Sequence, residues 1–345
     1  MIKETRADLF TRDKGQSSSV PLVRVEGLRK LYPLVTGLFR TSRSYIHAVD
    51  GINFTIPHGE SLGLVGESGS GKTTTGKLLV RLVEPTDGKI HVLTSSGDVN
   101  IAHLRGGDLK KFRSHVQMIF QDPYESLNPR RTIFDTIAEP LAVQGIGDIV
   151  DREQRVAELL TWVGLIPPNT FMFRYPHELS GGQRQRVAIA RALVVSPTFV
   201  VADEPTSMLD VSIRTGIMHL MQELAERLGV TYLYITHDLA VARYMSNQLA
   251  VMYLGKIVEM GDTEELLAHP LHPYTKALLS AVPVPDPTVA RGIPEIKGSI
   301  AQPINPPPRC RFFDRCPMAA KVCEENDHPP LENKGNGHLA ACYLV

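Results

Sequence analysis

The octapeptide GESGSGKT at residues 66–73 constrains this 345-residue chain more than any other stretch. It fits the pattern GxxxxGK[ST], follows the apolar run SLGLV at 61–65, and precedes a helical pattern running from residue 73 to residue 83. A strand, a glycine-rich loop and a helix in that order make a binding site for phosphate. Gly66, Gly69 and Gly71 allow a tight turn that points N–H groups inward, and Glu67, Ser68, Ser70 and Thr74 complete the expected loop. The helix N-terminus adds its positive dipole end. Lys72 can reach the β- and γ-phosphates of a nucleotide, and the Thr73 hydroxyl can ligate Mg²⁺.

Lysine plus arginine equals aspartate plus glutamate at 37 each, so bulk charge lends no support to nucleic-acid binding. Apolar residues at 43% and charged residues at 21% suit an ordinary globular protein. No apolar run approaches the roughly 20 residues of a membrane span. Residues 1–19 are polar and charged without an apolar signal core, and are expected to be a disordered tail. A cytosolic protein is expected, with any membrane connection running through partners.

Apolar patterning places a first strand at 20–31, ending at Tyr32 and Pro33, and a polar, basic loop at 36–44. Strands at 46–49 and 52–56 are separated by Asp50 and Gly51; short strands follow at 89–93 and 116–120. Between about 124 and 178 the pattern turns helical, clearest at 132–143 and 152–163, with Asp151 as a candidate N-cap. A helix to about residue 195, a strand at 198–202, a helix at 211–228 and a strand at 231–235 come next. A hairpin at 248–253 and 256–259 turns at Gly255, Asp262 opens a short helix, and the Pro-rich stretch 283–308 reads as linker. Alternating strands and helices argue for a mainly parallel α/β sheet. No internal repeat is present, so one nucleotide domain is expected.

Asp203 and Glu204 end the apolar run at 199–202. In a parallel sheet the ligand crevice lies at the carboxyl ends of the strands. There Asp203 suits Mg²⁺ coordination and Glu204 the polarisation of an attacking water. Gln121 and His237 also follow strand-like runs. A glutamine there can ligate Mg²⁺ or orient water, and a histidine can hydrogen-bond a γ-phosphate as charge develops. Taken singly, each reads as an ordinary polar residue. LSGGQ at 179–183 adds a second anion site: Ser180 is a good N-cap, and Gly181 and Gly182 expose N–H groups at a helix start before Gln183. The first loop already serves one nucleotide, so a reciprocal dimer is the economical use of a second site.

Together these motifs resemble the ATPase domain of ABC transporters over roughly residues 22–268. Residues 66–73 match the Walker A loop, Gln121 the Q-loop, residues 179–183 the signature motif, and residues 199–204 Walker B. Residues 207–210 match the D-loop, with Met208 where alanine is usual and Asp210 retained; His237 matches the switch histidine. The resemblance implies an α/β ABC-type P-loop ATPase domain with a helical subdomain, here about 124–178. It implies ATP and Mg²⁺ as cofactors and an aromatic against adenine, with Tyr32 preferred and Tyr45 its rival. QDPYESLNPR at 121–130, PLHPYTKAL at 270–278 and a Cys-rich end narrow the resemblance to oligopeptide and dipeptide importers, most like the second of their two ATPase subunits.

That family implies an ATP-hydrolysing subunit, peripheral on the cytoplasmic face of the inner membrane, that powers peptide uptake. Its partners would be a second ATPase subunit (a paralogue, hence a heterodimer), two transmembrane permease subunits and, indirectly, an extracytoplasmic substrate-binding protein. Docking on the permeases would use the region from about Gln121 to Glu139. A soluble ABC-type ATPase acting on nucleic acid or ribosomes is the alternative, but such proteins tend to carry two ATPase domains, a coiled-coil insertion or a basic patch. The expected organisation is a tail at 1–19, an ATPase domain at 20–268 and a Cys-rich C-terminal extension at 269–345.

All four cysteines lie in that extension, as Cys310-x5-Cys316-x6-Cys323-x18-Cys342. Disulfides are not expected in a reducing cytosol. Four thiolates can hold Zn²⁺ or a 4Fe–4S cluster, and unligated thiols are a further reading. The Cys-x2–4-Cys knuckle usual at zinc sites is absent and Pro317 follows the second cysteine, so the cluster is preferred, as the resemblance also implies. His328 and His338 are spare ligands or surface residues.

Overall fold

A computed structural model describes residues 20–35, 43–94, 97–281, 296–297 and 302–345. The tail expected at 1–19, most of the loop at 36–44 and much of the Pro-rich stretch lie outside those residues. The chain divides into two compact units, one built from residues 20–22, Pro57–Gly59 and Leu93–Leu233, the other from Val23–Ile56, Glu60–Val92 and Tyr234–Val345.

In the unit that contains the phosphate loop, the strand Val23–Val35 pairs antiparallel with Arg43–Ile56 on one side and Asp87–Thr94 on the other. Val23, Val25 and Leu28 from the first strand and Ile52, Phe54 and Ile56 from the second are buried, which is the alternation a one-sided sheet requires. Two expectations are corrected here. The first strand continues through Tyr32 and Pro33 to Val35, because pairing with Asp87–Thr94 stops at Arg29 and a proline beyond that point removes no ladder bond on that side. Asp50 and Gly51 do not end a strand either: Arg29 pairs with Asp50 and Leu28 with Ile52, so Gly51, at φ 71°, is a bulge residue within one strand, Arg43–Ile56.

The same unit holds a mixed ladder. Ser61–Val65 lies parallel to Gln248–Tyr253, and Lys256–Asp262 returns antiparallel as the expected hairpin. The C-terminal residues then add two short antiparallel strands, Leu339–Ala340 on Lys256–Asp262 and Glu332–Asn333 beyond it. The mainly parallel sheet is therefore corrected to a mixed one. Residues 302–305 are not plain linker: Ile304 bridges to Ile46, and the His47 N–H donates to the Pro303 carbonyl at 2.9 Å.

Polar contacts fix these C-terminal residues further. Glu259 is fully buried, and its carboxylate accepts from the Leu271 and His272 N–H groups at 2.7 and 2.9 Å and lies 2.7 Å from His338 Nε2. Asp50 ion-pairs with Arg311 and lies 3.8 Å from Lys256. Burial works against its charge, but Lys256, Arg311 and His47 outweigh that and hold its carboxyl below the usual range.

In the other unit, Val116–Ile119 and Phe199–Asp203 pair in parallel, Val116 with Phe199 through Ile119 with Ala202. Every residue of Phe199–Asp203 is buried, as expected for a strand covered on both faces. The helical segment carries Ile133–Gln144, capped by a reciprocal Thr132–Asp135 box, and Ile149–Trp162. The N-cap of the second is Asp148, not Asp151. Asp148 accepts from Val150 and Asp151 N–H, while Asp151 sits three residues in and completes the box, stabilising the helix start by about 1 kcal/mol. The helix Val211–Leu228 has the expected bounds.

Candidate functional site

Within the phosphate loop, geometry and composition agree. Gly66 has φ 150° and Gly71 φ 110°, and a Cβ at either would sit 2.1 Å from a backbone carbonyl, that of Met252 or Ala48. No other residue type fits there. Gly71 then starts the helix Lys72–Leu79, shorter than the sequence pattern because Arg81 turns to a positive φ. Lys72 is 6% exposed, and its ammonium donates to the Gly66 and Glu67 carbonyls at 2.7 and 2.8 Å and to Ser70 Oγ at 3.4 Å. A buried ammonium amid loop oxygens at a helix N-terminus fits a polyphosphate. Ser68, Gly69 and Thr73 are exposed, while Thr74 is half-buried.

Glu67 departs from the simple picture of an inward N–H. Its amide donates to Tyr274 Oη at 2.9 Å, and its carboxylate receives both terminal nitrogens of Arg315 at 2.7 and 3.0 Å. The Glu67 hydrogen bonds raise the Arg315 pKa further, and burial pushes the Tyr274 phenol up, keeping it neutral. Neither residue stood out in the sequence. Arg315 was hidden one place before Cys316, and Tyr274 lay inside PLHPYTKAL, whose resemblance gave it no role.

The strand-end cluster belongs to the other unit. Adjacent parallel strands end at Ile119 and Asp203, so Gln121 and Glu204 emerge at the same edge, where Gln121 Nε2 donates to Glu204 Oε2 at 3.1 Å. Asp203 is 4% exposed. Glu204 has φ 45°, a left-handed conformation costing about 1–2 kcal/mol for a residue with a Cβ. Its carbonyl accepts from the Ser207 N–H and hydroxyl at 3.1 and 3.0 Å, which stabilises the turn. Strain held at a strand end beside polar groups is a mark of functional sites.

Ser180 caps the helix Gly181–Leu193, its Oγ accepting from Gln183 N–H while Gln183 Oε1 accepts from Ser180 N–H at 3.0 Å. The Gln183 N–H and Oε1 are thus used by the cap, and the N–H groups of Gly181 and Gly182 are the ones left without an intrahelical acceptor. A Cβ on Gly182 would lie 2.8 Å from the Ile213 side chain, so this glycine also sets how closely the helix Val211–Leu228 approaches. Asp210 precedes that helix without capping it and is exposed. His237 directly follows Thr231–Thr236 and is exposed, with Asp238 capping the next helix.

Tyr32 and Tyr45 lie on paired strands. Tyr32 opposes Ile46 and Tyr45 opposes Pro33, so the two rings belong to opposite faces of the ladder and at most one can serve a given ligand. Tyr32 is 37% exposed, with Lys30 Nζ 5.1 Å from its ring centre.

All four cysteines are free thiols. Cys310 N–H donates to the Cys323 carbonyl at 3.0 Å, and the Cys310 thiol feels Cys323, Cys342 and Cys316. Burial pushes Cys310 up to about 11, and raises Cys316 and Cys342 as well. Among the described residues no group of three or more His, Cys, Asp or Glu side chains is disposed to hold a metal ion. His338 is a buried partner of Glu259, not the spare ligand or surface residue expected. His328 is half-buried, its pKa pushed down to about 3 chiefly by burial.

The ABC transporter family matches residues 49–207, and the oligopeptide/dipeptide transporter C-terminal region matches residues 258–323. The chain is 45% identical over 329 residues to the oligopeptide transport ATP-binding protein AppF of Bacillus subtilis, covering 94% of this chain and 97% of the relative. It is 42% identical over 327 residues to the dipeptide transport ATP-binding protein DppF of Haemophilus influenzae, covering 95% and 98%. Among solved structures, the ATP-binding cassette MJ0796, a dimer bound to ADP and Pi after hydrolysis, aligns with a TM-score of 0.61 at 30% identity, covering 70% of this chain and 98% of that one. Fold and motifs thus define an ABC-type ATPase. The chain belongs to the family of oligopeptide and dipeptide ABC transporter ATP-binding proteins. These relatives favour a transporter subunit over an ATPase acting on nucleic acid or ribosomes.

Proposed function

We propose that this chain hydrolyses ATP to power uptake of oligopeptides or dipeptides, peripherally bound at the cytoplasmic face of the inner membrane. The Gln121–Glu204 hydrogen bond carries the reading, because it fixes a carboxylate and an amide at one edge of a parallel strand pair, where a water can be polarised. The names of the relatives, matched along nearly the whole chain, support peptide as cargo.

In this reading residues 66–74 bind the ATP phosphates, with Lys72 on the β- and γ-phosphates and Tyr32 against the adenine. Thr73, Gln121 and Asp203 would hold Mg²⁺, which neutralises phosphate charge. Glu204 accepts the proton of the attacking water, and His237 hydrogen-bonds the γ-phosphate. Ser180, Gly181, Gly182, Gln183 and Asp210 face the ATP of a second ATPase subunit, a paralogue. The ATPase domain spans 20–268 and the extension 269–345.

Peripheral attachment is supported by the absence, among the described residues, of any helix long and apolar enough to cross a membrane. Docking on two permease subunits is supported by exposed apolar side chains in the helical segment, Val143, Ile149, Val150, Ile166 and Phe173, and by Tyr124, 60% exposed just past Gln121. A concavity of about 320 Å³ between Leu109, Arg113, Gln117 and Val143 lies in the same unit. A tagged chain captured from gently solubilised native membranes is expected to bring down two integral membrane proteins, a second ATPase and, more weakly, a binding protein. Capture of soluble partners, ribosomes or nucleic acid alone would remove the transport reading.

For the four thiols we favour a 4Fe–4S cluster over zinc. Four cysteine thiols are the donor set of such a cluster, and the Cys310 N–H to Cys323 carbonyl hydrogen bond at 3.0 Å brings two of these residues together. Protein purified without oxygen is expected to be brown and to contain about four iron and four sulfide per chain. Colourless, iron-free protein rules the cluster out, and one zinc per chain selects the alternative.

A further inference from the structure

Glu67 is held from two sides by residues far along the chain, and both lie in the unit that contains the phosphate loop. Arg315, its side chain 9% exposed, grips both carboxylate oxygens, and the fully buried Tyr274 takes the amide N–H. A bidentate guanidinium–carboxylate pair fixes direction as well as distance. The carbonyl of the same residue accepts from Lys72 Nζ at 2.8 Å. Arg315 therefore acts on Lys72 through one intervening residue.

The residues doing the holding are themselves anchored. Arg315 ends the short 3₁₀ turn Phe313–Arg315, and its N–H donates to the Phe312 carbonyl at 3.0 Å. The Phe312 ring meets Tyr253 edge-on at 5.2 Å, and Tyr253 lies 4.6 Å from Tyr274. His272 Nδ1 accepts the Tyr274 N–H at 3.0 Å, which needs the neutral imidazole that burial enforces. A buried aromatic cluster thus holds both Arg315 and Tyr274 where they meet the loop.

We propose that Arg315 and Tyr274 are positioning residues for ATP binding, which preset the phosphate loop by holding Glu67 and, through its carbonyl, Lys72. A loop with three glycines in six positions loses much backbone freedom on ordering, and a ligand that finds it already ordered binds more tightly. The C-terminal extension is on this account part of the nucleotide-binding apparatus. The proposal rests on the reading of residues 66–73 as the ATP phosphate loop.

The test is Mg-ATP affinity of the full-length chain, measured by displacement of a fluorescent ATP analogue, with the Tm of each nucleotide-free variant recorded alongside. R315A and E67Q are each expected to raise Kd about tenfold, and the double variant no more than either, because all three break one contact. R315K, which keeps charge but loses the fork, should fall between. Kd values within twofold of wild type in E67Q and R315K, or single effects that multiply in the double variant, would overturn the proposal, whatever happens to Tm. K72A separates the two layers of inference: if it binds ATP as wild type does, the phosphate-loop reading itself has failed.

Discussion

Replacing Glu204 with glutamine is expected to lower ATP turnover by about 10²–10⁴-fold while leaving ATP binding within a few-fold of wild type. The substituted amide keeps an oxygen that can accept from Gln121 Nε2, and the backbone turn sealed by Ser207 is untouched. Only the capacity to take a proton from water disappears. Phosphate release measured alongside equilibrium nucleotide binding separates the two properties. Turnover close to wild type would show that Glu204 is not the base, and a parallel loss of binding would assign it to ground-state contacts.

The second large effect is expected at Gly71. Alanine there places a Cβ 2.1 Å from the Ala48 carbonyl oxygen and 2.7 Å from Met252 Cε, at a φ of 110° that side chains avoid. Backbone cannot yield as the end of a side chain can, so the loop or the strand Arg43–Ile56 must move. We expect G71A to abolish measurable ATP binding and to lower Tm by several degrees. Gly69 is the control: it also has a positive φ, 79°, but no atom lies within 4 Å of its Cβ position. G69A therefore meets only backbone strain of about 1–2 kcal/mol, with a correspondingly milder loss of affinity. Equal effects at the two positions would mean that close packing around Gly71 does not shape the loop.

Much of the strand-end placement was legible from the residues alone. Val116, Met118 and Ile119, and the run from Phe199 to Ala202, are apolar enough to be buried, and whatever polar residue follows such a strand emerges at its edge. That logic put Gln121, Asp203, Glu204 and His237 at or just past strand ends, where the structure has them. Local competition was harder to read. Asp148 and Asp151 are both good caps, and only the reciprocal hydrogen bonds decide which is outside the helix. Pro33 and Gly51 look like strand breakers, yet each occupies a place where the ladder tolerates it: one past the point where pairing with Asp87–Thr94 stops, the other in a bulge.

Long-range pairing left almost no trace in the sequence. Arg315 meets Glu67 across 248 positions and Tyr274 across 207, and neither contact produces a periodicity or a spacing. The cysteines drew attention because their chemistry is rare, whereas the arginine between two of them looked ordinary. Its importance depends on the buried aromatic surroundings, a property of the fold and not of the local sequence.

The short strand Leu339–Ala340, laid on Lys256–Asp262, bears on how the protein is made. During synthesis Lys256–Asp262 leaves the ribosome with its outer row of amide and carbonyl groups unpaired. A buried acid, Glu259, then waits for a histidine 79 positions downstream. Until His338 arrives, an apolar strand with an open edge is a template for any other nascent chain. The residues that cover this edge are thus the last of the chain to be made. A chain cut short before residue 332 should accumulate in aggregates even where its nucleotide loop is intact.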